Sequence, residues 1–321
     1  MAMPMTNTVC TNSIDNALTL MELGDRKIKY TQLAKDFLGN VDSGEFEFLP
    51  PLSAEMIAYA QQRAIILFDL QKKRHKMHLL YTSFEESISD AFYNGDNIFY
   101  ILLERFVDPN NSTLPPDYFV QKFFIDFNQA QLKKEIKIDK HGGFFLNNGN
   151  NIFVGNEKKV VVYDLNLNQI SHPLSMFFES RKLQNRIKVV GLMVHPEHPF
   201  AILVEMIWDT GATRTTLIDW RKKEIAVSQL DMGDIGILKL SPDYRWMTYW
   251  RTNAKDEQLF TVKINPDNWD FMDRPVILGT FNRVITHNAV TWMPKPLSYI
   301  LIDDQKELLY QWIFEEGSQS K

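Results

Sequence analysis

The feature that most constrains what this chain can fold into is a recurrence. Four segments end a short apolar run with an Asp set between two hydrophobic residues: Leu67-Phe68-Asp69-Leu70, Phe124-Ile125-Asp126-Phe127, Val162-Tyr163-Asp164-Leu165 and Leu217-Ile218-Asp219-Trp220. The four Asp positions are 57, 38 and 55 residues apart, and each follows another β-rich run. One supersecondary unit is therefore repeated with loops of variable length.

From about residue 45 onward six units can be written, each an apolar run, a turn, a second apolar run and a third strand. The turns are Pro51–Glu55, Asn94–Asn97, Asn147–Asn150, His195–Pro199, Ser241–Arg245 and Pro294–Pro296. Each is built from Pro, Gly, Asn, Asp or Ser, which favour chain reversal. The last two units carry Leu259–Lys263 and Leu308–Trp312 as third strands, without the Asp. A fourth strand is expected at Ile225–Leu230 and Pro275–Leu278. The segment Ala54–Leu80 contains enough Ala, Glu, Gln, Lys and Leu to compete as helix; its turn and its Leu-Phe-Asp-Leu favour strands.

Such repetition predicts an all-β protein, a ring of small sheets, with a two-sheet sandwich as the shorter-chain alternative. At 321 residues the chain exceeds the roughly 250 to 300 at which one compact core stops growing, a limit that a ring escapes. Six blades are read. Ala17–Leu33 is expected to supply the missing outer edge of the last unit, closing the ring by pairing the two ends; seven blades follow if residues 15–45 contribute more. Residues 1–14 read as a flexible tail, 15–317 as one propeller domain and 318–321 as a C-terminal tail.

Ser241-Pro242-Asp243-Tyr244-Arg245 followed by Trp246–Trp250 resembles the Ser-Pro-Asp-Gly plus apolar-strand element of WD-repeat and TolB-like β-propellers. The third-strand Asp is similar to the strand end that carries Trp-Asp in WD repeats. The likeness runs from about residue 45 to 317. The chain departs from it at Tyr244, where Gly is usual, and in lacking the Gly-His dipeptide and Trp before its repeat Asp residues. The resemblance implies the fold and carries over no catalytic residue.

Function is less constrained. A net charge of −5 argues against broad attraction to phosphate backbones or anionic lipid, so neither nucleic acid nor membrane is an expected partner. One cysteine, Cys10, rules out an intramolecular disulfide. With no basic n-region or apolar leader, a cytoplasmic setting is expected. His195-Pro196-Glu197-His198 suggests a metal superficially, but its prolines forbid helical ligand geometry and it aligns with turns lacking His; it reads as a turn, with no metal expected. His75 and His78 read as solvated surface. The basic runs Lys72–Lys76 and Arg221–Lys223 read as hairpin turns.

The insert Arg105–Gln121, with Pro109, Pro115 and Pro116, offers Arg105, Asp108, Asp117 and Tyr118 as partner-binding candidates, because long loops in compact domains are often functional. Trp208, Asp209 and Trp269, in loop-like settings, are further contact candidates. Asp69, Asp126, Asp164 and Asp219 read as structural, accepting hydrogen bonds from turn backbone. No nucleophile elbow, phosphate-binding Gly loop or His-Glu-x-x-His occurs. The expected function is a non-enzymatic scaffold for a protein partner, with no cofactor. The alternatives are a hydrolase or lyase using acids such as Asp90, Asp209, Asp231 and Asp234 at the channel mouth, and a propeller binding a small ligand or glycan through its loop Trp residues.

Overall fold

A computed structural model describes residues 8–12, 18–24, 27–34, 47–48, 56–69, 71–72, 74–107, 114–139, 143–156, 159–180, 187–195, 198–207, 209–211, 213–220, 229–233, 235–252, 256–265, 267, 271–281, 290–294, 297–303 and 308–314, some of them by backbone alone. They form seven antiparallel sheets whose strands follow chain order. The first is β1 (Thr8–Asn12), β2 (Leu18–Gly24) and β3 (Lys27–Ala34). The second is β4 (Glu47–Phe48), β5 (Met56–Gln61), β6 (Ala64–Asp69) and β7 (Arg74–Leu79). The third is β8 (Glu86–Tyr93), β9 (Ile98–Arg105), β10 (Asp117–Ile125) and β11 (Ala130–Ile138). The fourth is β12 (Gly143–Asn147), β13 (Asn151–Asn156), β14 (Val160–Asp164) and β15 (Gln169–Ile170), followed by helix α1 (Pro173–Ser180).

The fifth sheet is β16 (Ile187–Val194), β17 (Phe200–Ile207), β18 (Thr213–Asp219) and β19 (Gln229–Gly233). The sixth is β20 (Ile235–Leu240), β21 (Trp246–Thr252), β22 (Glu257–Lys263) and β23 (Val276–Phe281). The seventh is β24 (Val290–Pro294), β25 (Leu297–Asp303) and β26 (Leu308–Ile313).

The six units read from the sequence correspond to the second through seventh sheets. Ala64–Phe68 explains why strand wins over helix there: the whole run is buried, Ala64 and Ile65 completely, and a short continuous apolar run suits a strand covered on both faces. Ala17–Leu33 supplies two sequential strands. Gly24 pairs with Lys27, so β2 and β3 close a hairpin on themselves, and β2 takes β1 as its other neighbour. Thr8–Asn12, within the segment read as a tail, is thus a strand. Among the described pairings none joins these strands to β26.

Alternation along the central strands shows how the sheets stack. Phe99 and Ile101 of β9 pack with Ala58, Ile65 and Leu67 of the second sheet. Tyr100 and Leu102 point the other way, to Phe145, Ile152 and Val154 of the fourth. Phe153 turns toward Leu192, Ala201 and Leu203 of the fifth. Phe200 and Ile202 face Met247 and Tyr249 of the sixth, and Trp250 and Leu259 face Trp292 and Tyr299 of the seventh. The period-2 pleat thus feeds a different interface on each side. First strands also meet, with β12 against both β8 and β16. Successive face-to-face sheets joined through their first strands are the arrangement that a propeller requires.

Candidate functional site at the insert-bearing rim

Strand direction sorts the connections onto two rims. The upper rim carries the sheet-to-sheet connections and those between second and third strands; the lower carries the remaining turns. At the upper rim of the second and third sheets, backbone hydrogen bonds join three segments. Leu80 N–H donates to Arg63 O at 2.9 Å, Ile88 N–H to Gln62 O at 2.5 Å, and Phe106 N–H to Glu85 O at 2.8 Å. On this frame Phe84 is 76% exposed, with the Arg63 guanidinium 4.1 Å from its ring centre, and Val107 is 65% exposed. Leu114, at the far end of the insert, is exposed as well. Single exposed apolar residues are ordinary, whereas several on connected loops mark an interaction surface.

Beneath them lies a polar network. The buried Tyr81 hydroxyl donates to Gln121 Oε1, and Gln121 Nε2 donates to Glu135 Oε2 at 2.5 Å. Arg105 donates from Nε to Glu86 Oε1 at 2.9 Å, and its Nη2 stands 2.9 Å from that oxygen and 3.6 Å from Glu135. The guanidinium also covers the Phe119 ring at 4.2 Å, and Lys137 pairs with Asp117 at 2.6 Å. Burial, helped by the charges of Glu86 and Glu135, pushes the Tyr81 hydroxyl well above its ordinary pKa, so it stays protonated and keeps donating. Arg105 and Lys137 are thus paired with three carboxylates. The network can hold the loops in place beneath the exposed apolar side chains.

Of the residues singled out in the sequence, Arg105, Asp117 and Tyr118 lie on strands, not in the loop expected between 105 and 121. Asp117 pairs with Arg105 and Tyr118 with Glu104 across β9 and β10, so the connection is residues 106–116. Tyr118 packs toward the fourth sheet, and burial raises its pKa, with Glu104 adding to the effect. Asp108, Trp208 and Trp269 lie outside the described residues. Asp209 sits in an exposed turn after β17, closed by Thr210 and Gly211 N–H groups on Ile207 O at 3.3 and 2.8 Å. The structure brings Arg105, Asp117 and Tyr118 together on one sheet and leaves Asp209 on another. Sequence reasoning missed Phe84, although an aromatic isolated in Thr82-Ser83-Phe84-Glu85-Glu86 has no periodic run to join.

The lower rim is closed by its own hydrogen bonds. Asp69 accepts from Lys72 N–H at 2.9 Å, Asp126 from Asn128 and Gln129 N–H at 2.7 and 2.9 Å, and Asp164 from Asn166 and Asn168 N–H, both at 2.8 Å. The Lys72 N–H holds the Asp69 carboxyl below its ordinary pKa, and the Asn168 N–H does the same for Asp164. Asp219 is buried at the end of β18. Tyr100, Lys122 and Lys134 form one cross-strand row of the third sheet and clamp the Asp164 turn of the fourth. Tyr100 Oη and Lys122 Nζ donate to Leu165 O at 2.6 and 2.8 Å, and Lys134 Nζ to Asn166 O at 2.6 Å.

One histidine reading changes. His78 is buried rather than solvated; its Nε2–H donates to Asp126 O at 2.6 Å, tying the second sheet to the third, and burial lowers its pKa. His195 is buried too, its Nδ1 accepting His198 N–H at 3.0 Å and its ring 4.5 Å from that of Tyr244 on the sixth sheet. In the basic run, Arg74 lies 3.4 Å from Asp69 and 4.5 Å from the Phe127 ring centre, while Arg221–Lys223 lie outside the described residues. Among the described residues no three His, Cys, Asp or Glu side chains group to hold a metal, and no helix is long and apolar enough to cross a membrane.

No family model matches the chain, and no curated protein matches it by sequence. Solved structures do. A chain of the Kuenenia stuttgartiensis hydrazine synthase superposes with TM-score 0.58 at 9% identity, covering 98% of this chain and 97% of that one. A Bacteroides fragilis protein provisionally assigned as a 6-phosphogluconolactonase gives 0.56 at 12%, covering 95% and 92%. A chain of the mitotic checkpoint complex gives 0.55 at 9%, covering 98% and 91%. At such identities the likeness concerns fold alone. The fold is that of a β-propeller.

Proposed function

We propose that the protein is a non-enzymatic propeller that presents its upper-rim loops to a protein partner. The observation that carries this reading is the exposed pair Phe84 and Val107, on loops tied together by the Phe106–Glu85 hydrogen bond and supported by the Arg105 network. Rigid sheets under variable loops suit recognition. Within this reading the seven sheets are seven blades of one domain, the setting is cytoplasmic, and Asp108, Trp208, Asp209 and Trp269 belong to the same recognition rim. A hydrolase or lyase has only the fold likeness behind it. Affinity capture with the intact chain, a Phe84→Ser/Val107→Ser double variant and a Trp208→Ala variant tests the scaffold. The expected result is a specific partner retained by the intact chain and lost from the double variant; identical partner sets from all three would remove these loops from recognition.

A further inference from the structure

We propose that His172 is a proton-operated latch that holds helix α1 between the fourth and fifth sheets and lets it go in acid. His172 immediately precedes α1 and is buried. Its ring lies 5.4 Å from that of Phe153 on β13 and 5.2 Å from that of Trp220, just past the end of β18, both edge-on. Nδ1 accepts the Leu174 backbone N–H at 3.1 Å. That is the N-cap bond a Ser, Asp or Asn side chain usually supplies to the orphan donors of a first helical turn. Accepting at Nδ1 places the ring proton on Nε2.

The helix that this cap starts plugs an interface. Leu174 and Phe178 are buried among Val160 and Val162 of the fourth sheet and Val189 and Ile218 of the fifth. A second proton can enter the imidazole only at Nδ1, where it removes the acceptor and sets one N–H against another. It also puts a cation between two aromatic side chains in a buried site, which desolvation opposes. Burial already lowers the ring's pKa. On the open side, Lys159 shares with His172 the lining of a cleft of about 330 Å³. Asp219 is the acidic residue beside Trp220, and Glu179 is the acidic residue of α1 itself.

The sign follows from linkage. A histidine whose folded pKa lies below its unfolded value near 6.5 contributes fully above that value, and its contribution falls as pH drops through the folded pKa. The weakening accrues between the unfolded and folded pKa values and stops below the folded one.

Hydrogen-exchange protection of residues 174–180 in the intact chain, corrected for intrinsic exchange, at pH 7.5 and pH 5.0 provides the test. The wild-type helix is expected to lose protection at the lower pH. His172→Asn, which can cap but cannot titrate, should show equal protection at both, while His172→Ala should be unprotected at both. A His172→Asn helix that loosens in acid as the wild type does, or a wild-type helix equally protected at both pH values, overturns the proposal. If His172→Ala does not fold, the wild-type and His172→Asn pair decides alone.

Discussion

The lower rim between the third and fourth sheets and the upper rim of the second and third treat polar and apolar groups in opposite ways. At the lower rim, the Asp164 turn satisfies its N–H groups with its own carboxylate, and Tyr100, Lys122 and Lys134 reach across to its carbonyls. Even Leu167, at φ 58°, is buried in the seam, where packing offsets the conformational cost. At the upper rim the charges pair within the third sheet and the apolar side chains of the neighbouring loops face water. The lower rim therefore puts its interaction energy into holding sheets together. The upper rim leaves apolar surface exposed to water.

Tyr100 gives the largest expected effect. Tyr100→Ala removes a buried ring, packed 5.2 Å from Phe92, together with its hydroxyl, and is expected to cost about 3–5 kcal/mol in urea unfolding. Tyr100→Phe removes only the bond to Leu165 O, which Lys122 still contacts, and should cost about 1 kcal/mol. Equal losses would mean that the clamp outweighs the packing; no loss from the Phe variant would mean that the seam is packing alone. Burial, with the Asp164 charge behind it, raises the Tyr100 pKa to about 12. Its folded value exceeds the unfolded one near 10, so its contribution is whole below about pH 10 and is lost as pH rises toward the folded value. The Phe variant should lack that share of the alkaline decline.

These roles were unevenly legible in the sequence. Runs such as Phe99–Leu103 and Phe200–Val204 are buried on both faces, so they stand out as continuous apolar strands, and turns such as Asn94–Asn97 punctuate them. Thr8–Asn12 was not legible as a strand because Thr-Val-Cys-Thr-Asn has no apolar periodicity. Arg105 and Asp117 looked like loop because Pro109, Pro115 and Pro116 blur where β9 ends and β10 begins. The clamp row joins residues 22 and 12 apart in sequence, a register that only strand pairing creates. Phe84 and Val107 come onto joined loops only through the Phe106–Glu85 hydrogen bond, which strand order alone does not announce.

A second lower-rim lock, on the sixth sheet, predicts a smaller difference. Tyr244 occupies φ 57° and packs at a tilt against His195, with ring centres 4.5 Å apart. Tyr244→Ala and Tyr244→Gly both lose that ring, but only Gly adopts the left-handed conformation without strain. The Ala variant should be about 1 kcal/mol less stable than the Gly variant in parallel urea titrations. Equal stabilities would show that the turn relaxes and that the rim is less rigid than its hydrogen bonds imply.

Acid offers a further contrast between the rims. Asp69 and Asp164 have folded pKa values below their unfolded ones, so their contributions are complete above the unfolded range near pH 4 and disappear as pH falls through the folded values. Thermal melts of Asp164→Ala should therefore fall short of wild type at pH 6 and converge with it in strong acid. A gap that persists unchanged at low pH would assign the loss to shape rather than to the charged carboxylate.

The smallest stability effect is expected where the functional effect is largest. Phe84→Ser/Val107→Ser changes two side chains that face water, and surface substitutions of this kind usually lie within about 0.5 kcal/mol each. The Arg63–Phe84 contact is exposed and adds little to that figure. The double variant should unfold close to wild type in urea while losing its partner, whereas Tyr100→Phe should be less stable yet retain it. Measuring both properties on both variants separates the rims. A double variant that destabilises more than Tyr100→Phe would make Phe84 and Val107 part of the fold's own support, and the upper rim would then differ from the lower only in the chemistry by which it is closed.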